Sequence, residues 1–300
     1  MLTSTPASAT AELRPVARRR SPGFWSDALR RVVRSRAAMS GGVIVGLFVL
    51  LAVLAPLLAP YEPLRGRVVD RLQGPSVEHW LGTDELGRDV LSRVLYGARI
   101  SLQIQVAAVG LALLVGTALG VTAGYIGQWP DMVIMRLVDI MMAFPGIFLA
   151  LAIIAALGTG LANVIVASAI FLVPQFARVV RGSVLTLKEM EFVTAARALG
   201  ERDVTIVARY LLPNSLAPII VQTTLRMATV LLTASGLSFL GLGVQPPSPE
   251  WGAMLSNARS YMITAPHVAT VPGLAIMLVV LGFNLLGDGL RDSLDPRLRE

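Results

Sequence analysis

The sequence predicts an all-α membrane protein. It has six transmembrane helices, an amphipathic helix at the membrane surface before them, and a polar cytoplasmic helical hairpin between the fourth and fifth. Three observations predict this. Of the 300 residues, 54% are hydrophobic and only 15% charged, and the mean hydropathy of +0.68 is far above that of an ordinary soluble domain. Six apolar stretches are each long enough to cross roughly 30 Å of hydrocarbon. The arginines are shared unequally among the segments that join those stretches.

Residues 1–20 are rich in Ala, Pro, Ser, Thr and Arg, the composition of a disordered tail. Phe24-Trp25, Leu29 and Val32-Val33 then recur at helical spacing with Arg30, Arg31, Arg34 and Arg36 between them. A basic amphipathic helix of this kind lies on the membrane, with its Trp at the interface. Helices that bind DNA share the pattern, but an apolar span follows directly here, so nucleic acid is excluded as a partner and the lipid bilayer is the expected one. The spans are Val43–Ala59, Leu102–Tyr125, Met132–Leu157, Leu161–Val180, Leu216–Leu242 and Val268–Leu286. About forty residues precede the first, and Pro56 and Pro60 crowd any cleavage site, so it does not read as a signal peptide. The chain divides into a tail and interfacial helix (1–40), a first span with an outer polar segment (41–99), a five-helix core with a polar loop at 186–213 (100–290), and a terminal tail (291–300).

With the N-terminus inside, the cytoplasmic segments are 1–40, 125–137, 178–213 and 288–300. They hold 18 of the 26 basic residues, against 7 in the outer loops 61–100 and 242–268. Both termini and the polar loop therefore face the cytoplasm. In the second span Ala108, Ala112, Gly116, Gly120 and Gly124 recur every four residues and make one smooth helix face. Close backbone packing must supply much of the association between helices in lipid. Spacing alone leaves open whether that face meets this chain or another subunit.

The chemistry available to such a chain is narrow. There is no cysteine, which excludes disulfides, zinc–thiolate sites and a cysteine nucleophile. Lys188 is the only lysine and no glycine-rich phosphate loop precedes it; His79 and His267 stand alone. No catalytic residue, metal site or bound cofactor is expected. Thr83-Asp84-Glu85-Leu86-Gly87-Arg88-Asp89 crowds three carboxylates together without the alternating spacing of a calcium loop, and reads as a turn capping a helix. Arg136 and Asp139 read as a pair at the inner end of the third span. In the fifth span Gln222, Arg226, Thr229 and Thr233 share one helix face. Arg226 lies twelve residues past Asn214, about 18 Å into the membrane. A charge there costs on the order of 3 kcal/mol unless it faces a cavity or a partner. Both a place on a translocation path, attracting a carboxylate, and a buried ion pair meet that demand.

The loop at 186–213 is the polar island of this apolar chain. Thr194 to Leu199 is rich in helix formers, and Gly200 is able to take the left-handed conformation that ends a helix. A second short helix is expected from Glu201, with Val204, Val207 and Leu211 on its apolar face and Pro213 as its stop. Ala195-Ala196 leaves a low ridge suited to a groove on another protein.

Thr194-Ala195-Ala196, three residues, Gly200, nine residues, then Tyr210-x-Leu212-Pro213 resembles the Glu-Ala-Ala loop of ABC importer permeases, with Thr194 in place of Glu and Tyr210 in place of Ile. Leu81–Arg93, Met135–Asp139 leading to Phe144-Pro145, Leu237–Pro247 leading to Glu250-Trp251-Gly252, and Gly287–Arg297 resemble the C-type permeases of peptide and nickel importers. That family often carries a glutamate where this chain has Ala234. The resemblance implies a type I importer transmembrane domain in a bacterial inner membrane. It also implies a homologous B-type permease partner, two ATP-binding subunits or domains that hold ATP and Mg, and an extracytoplasmic solute-binding protein. Thr194, Ala195, Ala196, Arg197, Leu199, Gly200, Leu212 and Pro213 would couple to the ATPase, with peptide as the expected cargo. A nickel or other small-solute permease is the alternative within the class, and a stand-alone secondary transporter the alternative outside it.

Overall fold

The computed structural model describes residues 30–294. The tails 1–29 and 295–300, with the disorder expected for 1–20 and most of the interfacial helix, lie outside the described residues. Residues 30–34 are helical, with Arg30, Val33 and Arg34 exposed.

Among the described residues nine longer helices follow in chain order: α1 Arg36–Leu58, α2 Val90–Ile126, α3 Gln128–Ala143, α4 Gly146–Leu157, α5 Leu161–Leu187, α6 Glu191–Ala198, α7 Asp203–Phe239, α8 Trp251–Ala258 and α9 His267–Leu294. Five of them are long and apolar enough to span a membrane, and the bent pair α3–α4 brings the number to six. Among the described residues there is no strand beyond two isolated β-bridges.

Three boundaries differ from the sequence expectation, each for a local reason. Helix α2 begins at Val90 rather than Leu102, because Asp89 caps it: its carboxylate accepts from the Ser92 N–H at 2.7 Å. Its 37 residues reach about 55 Å, so its first turns project beyond the hydrocarbon. The third expected span is broken. Pro145 lacks an N–H and forces Phe144 into extended geometry, which ends α3 at Ala143 and bends the chain by 95°. At the other break, Pro213 does not stop a short helix. Residues Val207–Leu211 form one π turn, in which the Leu212 N–H donates to the Val207 carbonyl, and the helix runs on to Phe239. The wide turn sets Ile206 and Leu211, five apart, both facing inward, while Val204 is 79% exposed. The apolar face expected through Val204, Val207 and Leu211 is therefore re-registered onto Ile206 and Leu211.

Helices α2 and α5 form the tightest seam. Ala108 and Ala112 are fully buried, and a Cβ at Gly116 would sit 2.5 Å from the Phe176 Cβ. A Cβ at Gly120 would lie 2.6 Å from the Ala177 carbonyl oxygen. The small-residue face thus packs within this chain, where close approach gives dispersion contact that lipid cannot offer. Helix α9 lies antiparallel to α1, with Gly289 against Ala38 and Gly282 against Ile44. Arg36, Leu294 and the loop 188–202 consequently share one end of the bundle. Residues 61–89 and 240–266 cover the other.

Candidate functional site

Helix α6 is amphipathic in the simplest way. Val193 and Ala196, three residues apart, face the bundle and pack with Val180 and Val184 of α5 and Ile206, Leu211 and Ile219 of α7. Glu191 in its first turn and Arg197 in its last complement the helix dipole. It ends in a Schellman turn: the Gly200 N–H bonds the Arg197 carbonyl at 2.9 Å and the Glu201 N–H bonds the Ala196 carbonyl at 3.1 Å. Gly200 has φ of 78°, as that turn requires.

The expected coupling residues fall into two sets. Thr194, Ala195, Arg197, Leu199 and Gly200 are exposed, and Leu199, 83% exposed, stands with Val204 beside the turn as an unpartnered apolar ridge. Ala196 is a correction to the low ridge, since its methyl is committed to this chain's own core. Leu212 is half-buried and Pro213 is exposed beside a cavity of about 870 Å³. That cavity opens between Leu187, Phe192, Pro213, Gln222 and Leu225, with Arg291 of α9 on its wall.

Polar contacts absent from the motif hold the turn to the bundle. The Tyr125 hydroxyl, in the last turn of α2, donates to Asp203 Oδ1 at 2.5 Å. The Arg197 guanidinium stands 5.7 Å from the Tyr125 ring centre. Lys188 Nζ donates to the Gly124 carbonyl at 3.1 Å, and the Tyr210 hydroxyl donates to Glu201 Oε1 at 2.9 Å.

Gln222, Arg226, Thr229 and Thr233 share a face of α7, as their spacing predicts, and all are partly buried. Gln222 reaches the cavity wall. With its amide carbonyl turned to the guanidinium, it accepts from Arg226 Nε at 2.8 Å and Nη2 at 3.1 Å. Among the described residues Arg226 has no carboxylate partner. Thr229 and Thr233 return their hydroxyls to the Leu225 and Thr229 carbonyls.

One expected pairing is corrected. Asp139 pairs with Arg178 at 2.7 Å, not with Arg136, because the bend at Pro145 lays α3 across α5; Asp131 likewise takes a two-pronged contact from Arg181. Trp251 is fully buried, with its ring N–H donating to the Val94 carbonyl and its edge against Phe48 at 5.7 Å.

At the far end, Asp84 accepts from the Leu86 and Arg88 N–H groups at 2.9 Å and from Arg88 Nε at 2.7 Å, with Arg93 Nε at 3.2 Å. These carboxylates are occupied by backbone and arginine, the capping arrangement expected of Thr83–Asp89. Ala234 is buried in the apolar core, and the adjacent carboxylate is Glu250, fully buried, accepting from the Gly252 and Ala253 N–H groups at 2.9 and 2.8 Å. Burial pushes its carboxyl above the usual carboxylate range, and those two backbone bonds oppose the push.

A bundle of spanning helices, one of them broken, with a turned-out helical hairpin at one end, is a fold shared with solved ABC transporters. The fold agrees with the inward-facing MetNI methionine ABC transporter, whose chain superposes with a TM-score of 0.55 at 19% identity, covering 68% of this chain and 97% of that one. Residues 116–300 match the family described as binding-protein-dependent transport system inner membrane component, and residues 23–75 match the N-terminal TM domain of oligopeptide transport permease C. The chain belongs to that inner-membrane-component family and is a permease subunit of an ABC importer. It is 51% identical over 275 residues to the dipeptide transport system permease protein DppC of Alkalihalophilus pseudofirmus, covering 92% of this chain and 90% of that one. It is also 51% identical over 276 residues to the glutathione transport system permease protein GsiD of Pectobacterium atrosepticum, covering 92% of each.

Proposed function

We propose that this subunit carries small peptides across a bacterial inner membrane, and that residues 191–213 are where separate ATPase subunits drive it. The observation that carries the coupling reading is the two-sidedness of the hairpin. Val193, Ala196, Ile206 and Leu211 anchor it to the bundle, while Leu199 and Val204 stand exposed at its tip. Exposed apolar side chains on a rigid, short turn are the anchors of a protein contact. Nucleotide-driven closure of the ATPases would carry the hairpin with it and favour one of two bundle arrangements, which is alternating access.

The proposed assembly holds this chain, a homologous B-type permease, two ATP-binding subunits or domains with their ATP and Mg, and an extracytoplasmic solute-binding protein. In this reading ATP and Mg are held by the ATP-binding subunits and not by this chain. The start of α1 and the end of α9 lie at the hairpin's end of the bundle, and the arginine distribution supports a cytoplasmic placement of that end and of both termini.

Peptide cargo is supported by the two relatives named for dipeptide and glutathione transport. The cavity of about 870 Å³ has room for such a solute; Gln222 stands on its wall, and Arg226, one turn further along α7 and outside that wall, is held by the Gln222 amide. Gln222, Arg226, Thr229 and Thr233 then line the path. The test is Gly200→Val. A β-branched residue in the left-handed region costs about 1–2 kcal/mol locally, so the variant is expected to insert and fold but to lose the ATPase subunits and dipeptide uptake. Normal uptake with the ATPases bound would sink the proposal.

A further inference from the structure

We propose that the Tyr125–Asp203 contact is a latch that makes α2, as well as α7, follow the movement of the hairpin tip. The inference rests on the coupling reading above and adds the residues that transmit the motion. Asp203 is the first residue of α7, three positions after Gly200, and Tyr125 is in the last turn of α2, yet their oxygens lie 2.5 Å apart. A neutral hydroxyl donating to a carboxylate is among the stronger hydrogen bonds a protein makes.

The latch is supported on either side. Arg197 covers the Tyr125 ring, so one aromatic side chain meets a residue before Gly200 on its face and a residue after Gly200 at its hydroxyl. Lys188 donates to the carbonyl of Gly124, next to Tyr125 in sequence, and so ties the other end of the loop to the same helix turn. The hairpin is thus fastened at Lys188, Arg197 and Asp203 to one end of one rod.

Beyond that point nothing gives. Gly116, Gly120 and Gly124 hold α2 against α5 so closely that a Cβ at Gly116 or Gly120 would overlap its neighbours. Displacement at Tyr125 therefore moves α2 and α5 together. The direct connection through α7 crosses the wide π turn at Val207–Leu211, a less regular stretch of helix. Tyr125 and Asp203 act here as positioning residues and touch neither nucleotide nor cargo.

The test uses the whole transporter in proteoliposomes: this chain with its partner permease, ATPase subunits and binding protein, supplied with radiolabelled dialanine. ATP hydrolysis and uptake are read in parallel, and retention of the ATPase subunits is read by co-purification. Tyr125→Phe and Asp203→Asn are each expected to lower uptake per ATP hydrolysed by about tenfold with the ATPases retained, and the double variant is expected to match the singles. An unchanged ratio overturns the latch. So do losses that multiply in the double variant, or loss of the ATPase subunits from either single variant, since the residues would then act apart or merely hold the fold. Gly200→Val run alongside separates the two readings: if it uncouples while Tyr125→Phe does not, only the latch falls. If Gly200→Val transports normally with its ATPases bound, the coupling reading falls and the latch with it.

Discussion

The two ends of the bundle solve opposite problems. At the end formed by residues 61–99 and 240–266, polar groups are buried and satisfied. Asp84, Arg88, Arg93 and Asp89 are at most 4% exposed and paired among themselves and with backbone. At the other end, apolar groups are exposed: Leu199 and Val204 face outward from a hairpin held by few polar contacts. A buried charge network resists partial opening, because any member left alone in low dielectric is costly. An exposed ridge on a short turn adds little stability and is free to be covered by a partner. One end is built to hold its shape, and the other to be grasped.

The comparison breaks first at Asp84. Asp84→Ala removes the carboxylate that two buried arginines share, leaving Arg88 with Glu85 and Arg93 with the Pro63 carbonyl, and is expected to cost about 3 kcal/mol, seen as loss of folded subunit in detergent. A fully folded variant would show that the network is incidental. At the opposite end the expected effect on folding is nearly nil. Leu199→Asp with Val204→Asp should leave thermal stability within about 0.5 kcal/mol while removing ATPase subunits in co-purification. A large fall in Tm would mean that the ridge packs against this chain after all.

Glu250 sharpens the picture of the covered end. Its folded carboxyl titrates above its unfolded value, so the folded state binds the proton more tightly. Stability from this group is fully present below the ordinary carboxylate range and is lost as pH rises through the folded value. Glu250→Gln cannot titrate. Relative to the variant, the wild type's Tm is expected to fall as pH is raised from about 5 to about 8; a constant difference across that range refutes the assignment. The smallest effect on stability is expected at Arg226. Arg226→Met keeps the packing volume and removes the cation, so assembly should persist while dipeptide uptake falls. An unchanged uptake rate removes Arg226 from the path.

Much of this was legible from residue order alone. Apolar length found the spans, the Ala/Gly period found the α2 face, and Gly200 marked a left-handed turn, because each depends on near neighbours in the chain. The breaks were harder to read. Phe144-Pro145 was visible as a motif, but hydropathy runs straight through it and does not register a 95° bend. The π turn at Val207–Leu211 shifts the buried positions by one residue, which an ideal 3.6-residue period cannot anticipate.

By itself, then, the residue order determined the apolar lengths, the charge asymmetry and the local turn chemistry, all set by interactions a few positions apart. Only the tertiary structure decided which side chains meet. Asp139 chose Arg178 over nearby Arg136, Ala196 turned inward, and Tyr125 reached Asp203 across 78 positions of sequence. The physical reason is that pairing depends on how whole helices cross. The crossing is set by glycine-lined seams and proline bends acting together, and no local window of sequence contains both.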